Sequence, residues 1–258
     1  MRKPNQLKVR LAHGEFVLGT YSVLPSAAVA NVIAAANLDY IVIDMEHGPF
    51  SLETAENMVR AIESEGKTPL VRVPTNADWF ILRGLEIGAH GIVIPQIGSP
   101  EDAKSAISAM KYAPEGHRGL SPFSRSGGYT ALNSDNLSVR ENKETLSILL
   151  VEGVEGIENL DAILEVPGID VIYLGIYDLS QSIGFPGQVN HPDVVSFVEE
   201  CVKKIRSKGI AAGCFAQNVN DIKNLRKLGV QFIAYLTDSA LLYHACLDVR
   251  SAFDELMV

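Results

Sequence analysis

Eight short runs dominated by Val, Ile, Leu and Tyr recur along the chain, each followed by a segment long enough for a helix. They are Val17 to Tyr21, Tyr40 to Asp44, Leu70 to Val73, Gly91 to Pro95, Ser147 to Glu152, Val171 to Gly175, Ile210 to Phe215 and Phe232 to Thr237. The rhythm, mostly roughly 25 to 30 residues per unit, is that of strands joined by crossover helices, which pairs neighbours in parallel. Most runs are continuously apolar instead of alternating, so both faces of each strand are expected to be covered. Eight such units favour closure, and 258 residues is the size of one (β/α)8 TIM barrel of the α/β class. No linker divides the chain, so residues 1–258 read as one domain.

Helix signals fall between the runs. Ser99-Pro100-Glu101-Asp102 offers an N-cap, a proline at the first helical position and acidic first-turn residues. Val194, Phe197, Val198, Cys201, Val202 and Ile205 form a stripe at helical spacing. The segment from Ala113 to Thr145 breaks the rhythm and reads as a lid or interface loop. A formal charge of −9 without a basic stripe argues against nucleic acid as a partner. No stretch approaches the roughly 20 apolar residues of a membrane span, so no membrane partner is expected. Cys201, Cys214 and Cys246 are odd in number, lack CxxC spacing and lie in apolar contexts; they read as buried thiols of a cytoplasmic protein.

The charged residues at strand ends carry the chemistry. Glu152 closes one apolar run and Asp178 follows the next, one crossover later, so the two carboxylates are expected on one rim, where α/β barrels bind ligands. Hard divalent cations prefer such oxygen donors, although capping or salt-bridging is an open alternative. Asp44, Glu46 and His47 crowd the end of the second strand, and a histidine titrating near neutrality suits proton transfer. Arg72 places a permanent charge in an apolar run and needs an anionic partner, either a substrate oxygen or Asp44 and Glu46. The lysines fall in helices, loops, strand starts and the N-terminal tail, which disfavours Schiff-base chemistry. Ser126-Gly127-Gly128 offers an anion nest or a flexible turn, and His191 a cap for the helix starting at Pro192.

Asp44-x-Glu46-His47-Gly48-Pro49, Val71-Arg72-Val73-Pro74, Leu85-Glu86-Ile87-Gly88-Ala89, Glu115-Gly116-x-Arg118-Gly119, Val151-Glu152 and Gly175-x-x-Asp178-Leu179-Ser180 together resemble the HpcH/HpaI family of metal-dependent pyruvate aldolases, from about Val17 to Phe253. The resemblance implies reversible cleavage of a 4-hydroxy-2-oxo acid to pyruvate, or a similar 2-oxo acid, plus an aldehyde. It further implies Mg2+, Mn2+ or Co2+ as cofactor and a C-terminal helix exchanged between subunits of a homo-oligomer, a hexamer built as a trimer of dimers or a trimer. By the same resemblance Glu152 and Asp178 hold the metal, Arg72 steadies the enolate oxygen, and His47 acts as acid/base, oriented by Glu86. Asp44 and Glu46 support them, and Arg72, Gly175, Tyr177, Asp178 and Phe215 line the substrate site.

The chain departs from the family pattern in several places. Glu86 stands where many relatives have Asp, Gly175-Ile176-Tyr177 replaces Gly-Pro-Ala, Val151-Glu152-Gly153 replaces Ile-Glu-Thr, and Tyr235 and Leu236 replace smaller residues. Oxaloacetate decarboxylation, acyl-CoA lyase chemistry or a catalytically reduced ligand-binding barrel are the alternatives these departures leave open.

Overall fold

Each strand pairs in parallel with the next in sequence, and the last closes against the first, so the sheet is a closed eight-stranded barrel. The computed structural model describes residues 4–132 and 134–256; Lys3 lies outside them. The elements are α1 (Gln6–Ala12), β1 (Val17–Ser22), α2 (Ala27–Ala35), β2 (Tyr40–Asp44), α3 (Leu52–Ser64), β3 (Thr68–Arg72), α4 (Asp78–Glu86), β4 (Gly91–Ile94) and α5 (Pro100–Met110). They continue with α6 (Leu137–Glu144), β5 (Leu146–Val151), α7 (Gly153–Glu158), α8 (Leu160–Ile163), β6 (Val171–Leu174), α9 (Ile176–Ser182), α10 (Pro192–Ser207), β7 (Ala211–Ala216), α11 (Val219–Leu228), β8 (Phe232–Thr237) and α12 (Asp238–Glu255). All eight anticipated strands are present.

Two apolar layers hold the barrel. The inner one stacks Tyr40 on Phe232 with ring centroids 4.1 Å apart, sets Tyr173 edge-on to Phe232, and includes Val42, Leu70, Val93 and Ile148. Large rings fit because glycine faces them: a Cβ at Gly19 would stand 2.4 Å from the Tyr40 ring, and one at Gly213 would stand 2.8 Å from the Tyr173 ring. The outer layer packs Ile41, Ile43, Leu149 and Ile172 against Met58, Ile62, Ile107 and Ile205 of the helices, which is why the strands read as unbroken apolar runs. The amino-terminal stretch is more than a tail. Helix α1 buries Leu7 and Leu11 with the inner layer, Asn5 caps it, and Lys8 pairs with Asp170 at 2.8 Å.

Local signals account for several helix boundaries. Ser99 and Asp102 form a reciprocal capping box with Pro100 at the start of α5, and His191 Nδ1 accepts from the Asp193 N–H at the start of α10. The crossover between β5 and β6 is broken into α7 and α8 at Asn159, whose side-chain amide donates to the Gly98 carbonyl. The long segment is strapped along the helices. Asn142 exchanges two hydrogen bonds with the Tyr112 backbone, Arg118 donates to Glu86, and Arg125 pairs with Glu63.

Helix α12 is anchored at its start, where Asp238 accepts from the Ser22 hydroxyl and the Val23 N–H. Beyond Asp238 none of its described residues is buried, and Leu242, Tyr243, Leu247, Val249 and Phe253 are exposed. Cys246 lies on this helix and is exposed, contrary to the expectation of three buried thiols. The other two are buried, and burial pushes the thiols of Cys201 and Cys214 up to about 11 and about 12.

The packing around Gly19 predicts that Gly19→Ala destabilises the protein by about 1–3 kcal/mol in urea titrations, because the added methyl meets both a buried ring and a carbonyl. Gly119→Ala, with no atom within 4 Å of the new Cβ, is expected to stay within about 0.5 kcal/mol of the parent. Equal effects would contradict the packing account.

Candidate active site

Strand register builds the first half of the site. Asp44 and Arg72 are direct partners at the ends of β2 and β3, so their side chains meet at the carboxyl-terminal rim. Arg72 Nε donates to Asp44 Oδ1 at 2.8 Å, a terminal nitrogen donates to Asp44 Oδ2, and the other lies 3.1 Å from Glu46. Asp44 is almost fully buried, and it also accepts from the backbone N–H groups of Glu46 and His47. The guanidinium lies 4.9 Å from the centroid of the Tyr21 ring. Burial alone would lower the Arg72 pKa, but the hydrogen bond with Asp44 and the charges around it raise it. Two of its five N–H groups donate to Asp44 and one terminal nitrogen is ion-paired with Glu46, so donor capacity remains for a ligand.

The second half lies across the rim. Val151 pairs with Leu174, and the next residue on each strand is Glu152 and Gly175. Glu152 occupies the N-cap position of α7 without making a capping bond; its Oε1 accepts instead from the Gln96 N–H at 3.1 Å. Gln96 presents that N–H from a left-handed backbone, φ 59°, just after β4. Asp178 is in the first turn of α9, not at a strand end, and among the described residues its carboxylate has no hydrogen-bond or ion-pair partner. A Cβ at Gly175 would lie 3.6 Å from Glu152 Oε2 and 3.6 Å from Asp178 Oδ2. The two carboxylates therefore flank the one residue that leaves the space between them open.

Burial raises the Glu152 pKa, and Asp178 and Glu46 raise it further; the Gln96 N–H and Arg72 oppose them. Asp44, Glu46 and Glu152 thus share one guanidinium, and Asp178 adds a fourth carboxylate beside Glu152. Such an excess fits a cation, and an all-oxygen donor set fits a hard divalent one. Among the described residues no group of three or more His, Cys, Asp or Glu side chains forms a complete cage. A cation held by Glu152 and Asp178 would keep further positions for water and substrate oxygens.

A cavity of about 260 Å3 joins the two halves, with Asp44, His47, Arg72, Glu152, Gly175 and Phe215 on its wall. No lysine lines it. His47 is exposed beside it, and its side chain has no hydrogen-bond partner among the described residues. Three candidates lie elsewhere. Glu86 sits at the far end of α4, bound to Arg118 at 3.0 Å and to Ser126 at 3.1 Å, so within this chain it does not orient His47. Ser126 is buried in that network instead of forming an open anion nest. Tyr177 faces a neighbouring cleft between α9, α10 and α11. Conversely, Tyr21, Tyr173 and Thr237 line the cavity and were missed. Tyr21 and Tyr173 stand on inward-facing strand positions near the rim, a placement that counting alternate residues back from the strand ends would have found.

The fold and this site define a (β/α)8 barrel with a carboxylate-rich mouth. The pattern of the HpcH/HpaI aldolase/citrate lyase family matches residues 18–245, and the chain belongs to that family. It is 32% identical over 239 residues to the hydroxypyruvate/pyruvate aldolase of Roseobacter denitrificans, covering 92% of this chain and 93% of that protein. It is also 32% identical over 249 residues to the 2-keto-3-deoxy-L-rhamnonate aldolase of Salmonella gallinarum, covering 96% and 92%. The crystal structure of a family protein from Burkholderia cenocepacia superimposes with a TM-score of 0.90 at 30% identity, covering 98% of this chain and all of that one.

Because a raised Glu152 favours its neutral form, protons compete with a cation there. Mn2+ affinity measured calorimetrically is expected to fall as pH drops through the raised Glu152 range, approaching about tenfold per unit below it. It should recover as pH rises. An affinity independent of pH between 7 and 4.5 would contradict this.

Proposed function

We propose that this protein is a divalent-metal-dependent carbon–carbon lyase that cleaves a 4-hydroxy-2-oxo acid to pyruvate, or a similar 2-oxo acid, plus an aldehyde, and runs the reverse addition. The observation that carries this reading is the pair of carboxylates flanking Gly175, of which Glu152 shares one cavity wall with Gly175, Arg72 and His47 while Asp178 approaches from the first turn of α9. The aldolase names of the two relatives support the same reaction class. Glu152 and Asp178 would hold the cation, with Mg2+, Mn2+ and Co2+ all compatible with oxygen donors. When bound, the cation supplies Lewis-acid stabilisation of negative charge on oxygen.

The chain's own groups divide the remaining work. Cleavage removes the proton of the C4 hydroxyl, breaks the C3–C4 bond and leaves its electron pair on C3, delocalised onto the 2-oxo oxygen as an enolate; C4 departs as the aldehyde carbon. His47, free beside the cavity, is placed to take that proton, and its backbone N–H is tied to Asp44 at 3.3 Å. The N–H groups of Arg72 not bound to Asp44 suit the developing oxyanion, and Asp44 and Glu46 fix the guanidinium so that little reorganisation is needed. Protonation at C3 completes pyruvate.

The exposed apolar residues of α12 support a homo-oligomer with that helix packed on a neighbour, a hexamer or trimer. Two buried free thiols support a reducing, cytoplasmic setting, and no described helix is long and apolar enough to cross a membrane. We read residues 1–258 as one domain.

Exchange of pyruvate methyl protons for deuterium, followed by NMR, tests the reading without knowledge of the aldehyde. Exchange should require a divalent cation, disappear in EDTA, and fall by at least about 10²-fold in Glu152→Gln and in Asp178→Asn. Full exchange in EDTA-treated protein would refute it. Arg72→Lys, which loses the planar fork, should lower kcat by about 10²- to 10³-fold; wild-type turnover would remove Arg72 from the mechanism.

A further inference from the structure

Beside the reaction cavity lies a second cavity of about 200 Å3, between α9, α10 and α11. Its walls include Ile176, Tyr177, Val195, Val198, Leu225 and Leu228, and Phe215 lines both it and the reaction cavity. On α9 the boundary is one peptide wide: Gly175 borders the reaction cavity, and Ile176 and Tyr177 border the second. We propose that this cleft receives the apolar arm of the acceptor aldehyde, with Phe215 as the partition that separates the arm from the reacting carbons. The inference rests on the aldolase reading above.

The chemistry of the two cavities differs sharply. The reaction cavity carries Asp44, Arg72, Glu152 and His47 on its wall, a setting for a keto acid. The second is walled largely by hydrocarbon, and its polar groups, Asn190, Gln217, Asp221 and Lys227 among them, come from the loops and α11. The carboxylate of a keto acid placed there would exchange water for hydrocarbon and the Asp221 carboxylate, with Lys227 the one cation among the described residues of the wall, whereas a neutral alkyl or aryl group would bury without that cost. Phe215 suits a partition because it is only partly buried and packs at a tilt on Tyr21, centroids 6.5 Å apart. Tyr177 and Val195 remain 36% and 37% exposed, apolar surface that the fold itself leaves uncovered.

The test is aldol addition of pyruvate by the Mn2+-loaded full-length protein to acetaldehyde, propanal, butanal, pentanal and hexanal, with glyceraldehyde as the polar comparator. Each methylene buried in the cleft should raise kcat/KM by roughly fourfold, glyceraldehyde should fall below butanal, and Val195→Asp should flatten the series. Pyruvate methyl exchange is followed in every preparation. A flat or falling series, an unchanged slope in Val195→Asp, or a preference for glyceraldehyde, with exchange intact, would overturn the cleft assignment alone. Absence of cation-dependent exchange in the wild type would overturn the aldolase reading, and the cleft assignment with it.

Discussion

Uncompensated negative charge at the barrel mouth is the constraint on which the site depends. Arg72 answers Asp44 and Glu46, but Glu152 and Asp178 have no guanidinium or ammonium of their own among the described residues. Burial and neighbouring charge both raise Glu152, so the mouth carries an electrostatic cost that a cation would relieve. A chain selected only for stability would place a basic or neutral side chain there; this one keeps both carboxylates and opens the space between them with glycine at position 175.

Closed topology turns local sequence into that arrangement. Because every strand pairs with its neighbour in sequence, residues that end successive strands become neighbours on one rim, as Asp44 and Arg72 do directly, and as Glu152 and Gly175 do one step beyond the last pair. The aromatic inner layer beneath, with Tyr40 stacked on Phe232 and Tyr21 under Arg72, gives the rim a rigid floor. Hydrogen bonds of Asp44 to Arg72 and to the backbone of residues 46 and 47 carry that rigidity into the loop bearing His47.

The strands were legible because coverage on both faces leaves an unbroken apolar run, and Asp44, Arg72 and Glu152 were legible because a charge in or beside such a run needs a reason. Asp178 was correctly expected near Glu152, but its place in a helical turn was hidden, since Gly175-Ile176-Tyr177 continues the apolar signal of the strand. The partners of Glu86 within this chain were hidden because a motif marks a position and not its neighbours: Arg118 and Ser126, remote in sequence, bind the carboxylate. Tyr21 and Tyr173 were hidden because they read as ordinary core aromatics. The left-handed turn at Gln96 was hidden because it follows a proline without glycine, and the unburied face of α12 because its apolar residues resemble a core stripe.

The proposed cation site lies between the carboxylates of positions 152 and 178. Anomalous diffraction from crystals grown with Mn2+ and pyruvate, recorded at the manganese edge, tests it directly. The account requires a single strong peak within bonding distance of both carboxylates and beside Gly175. A peak at another set of side chains, or none at saturating Mn2+, would contradict it.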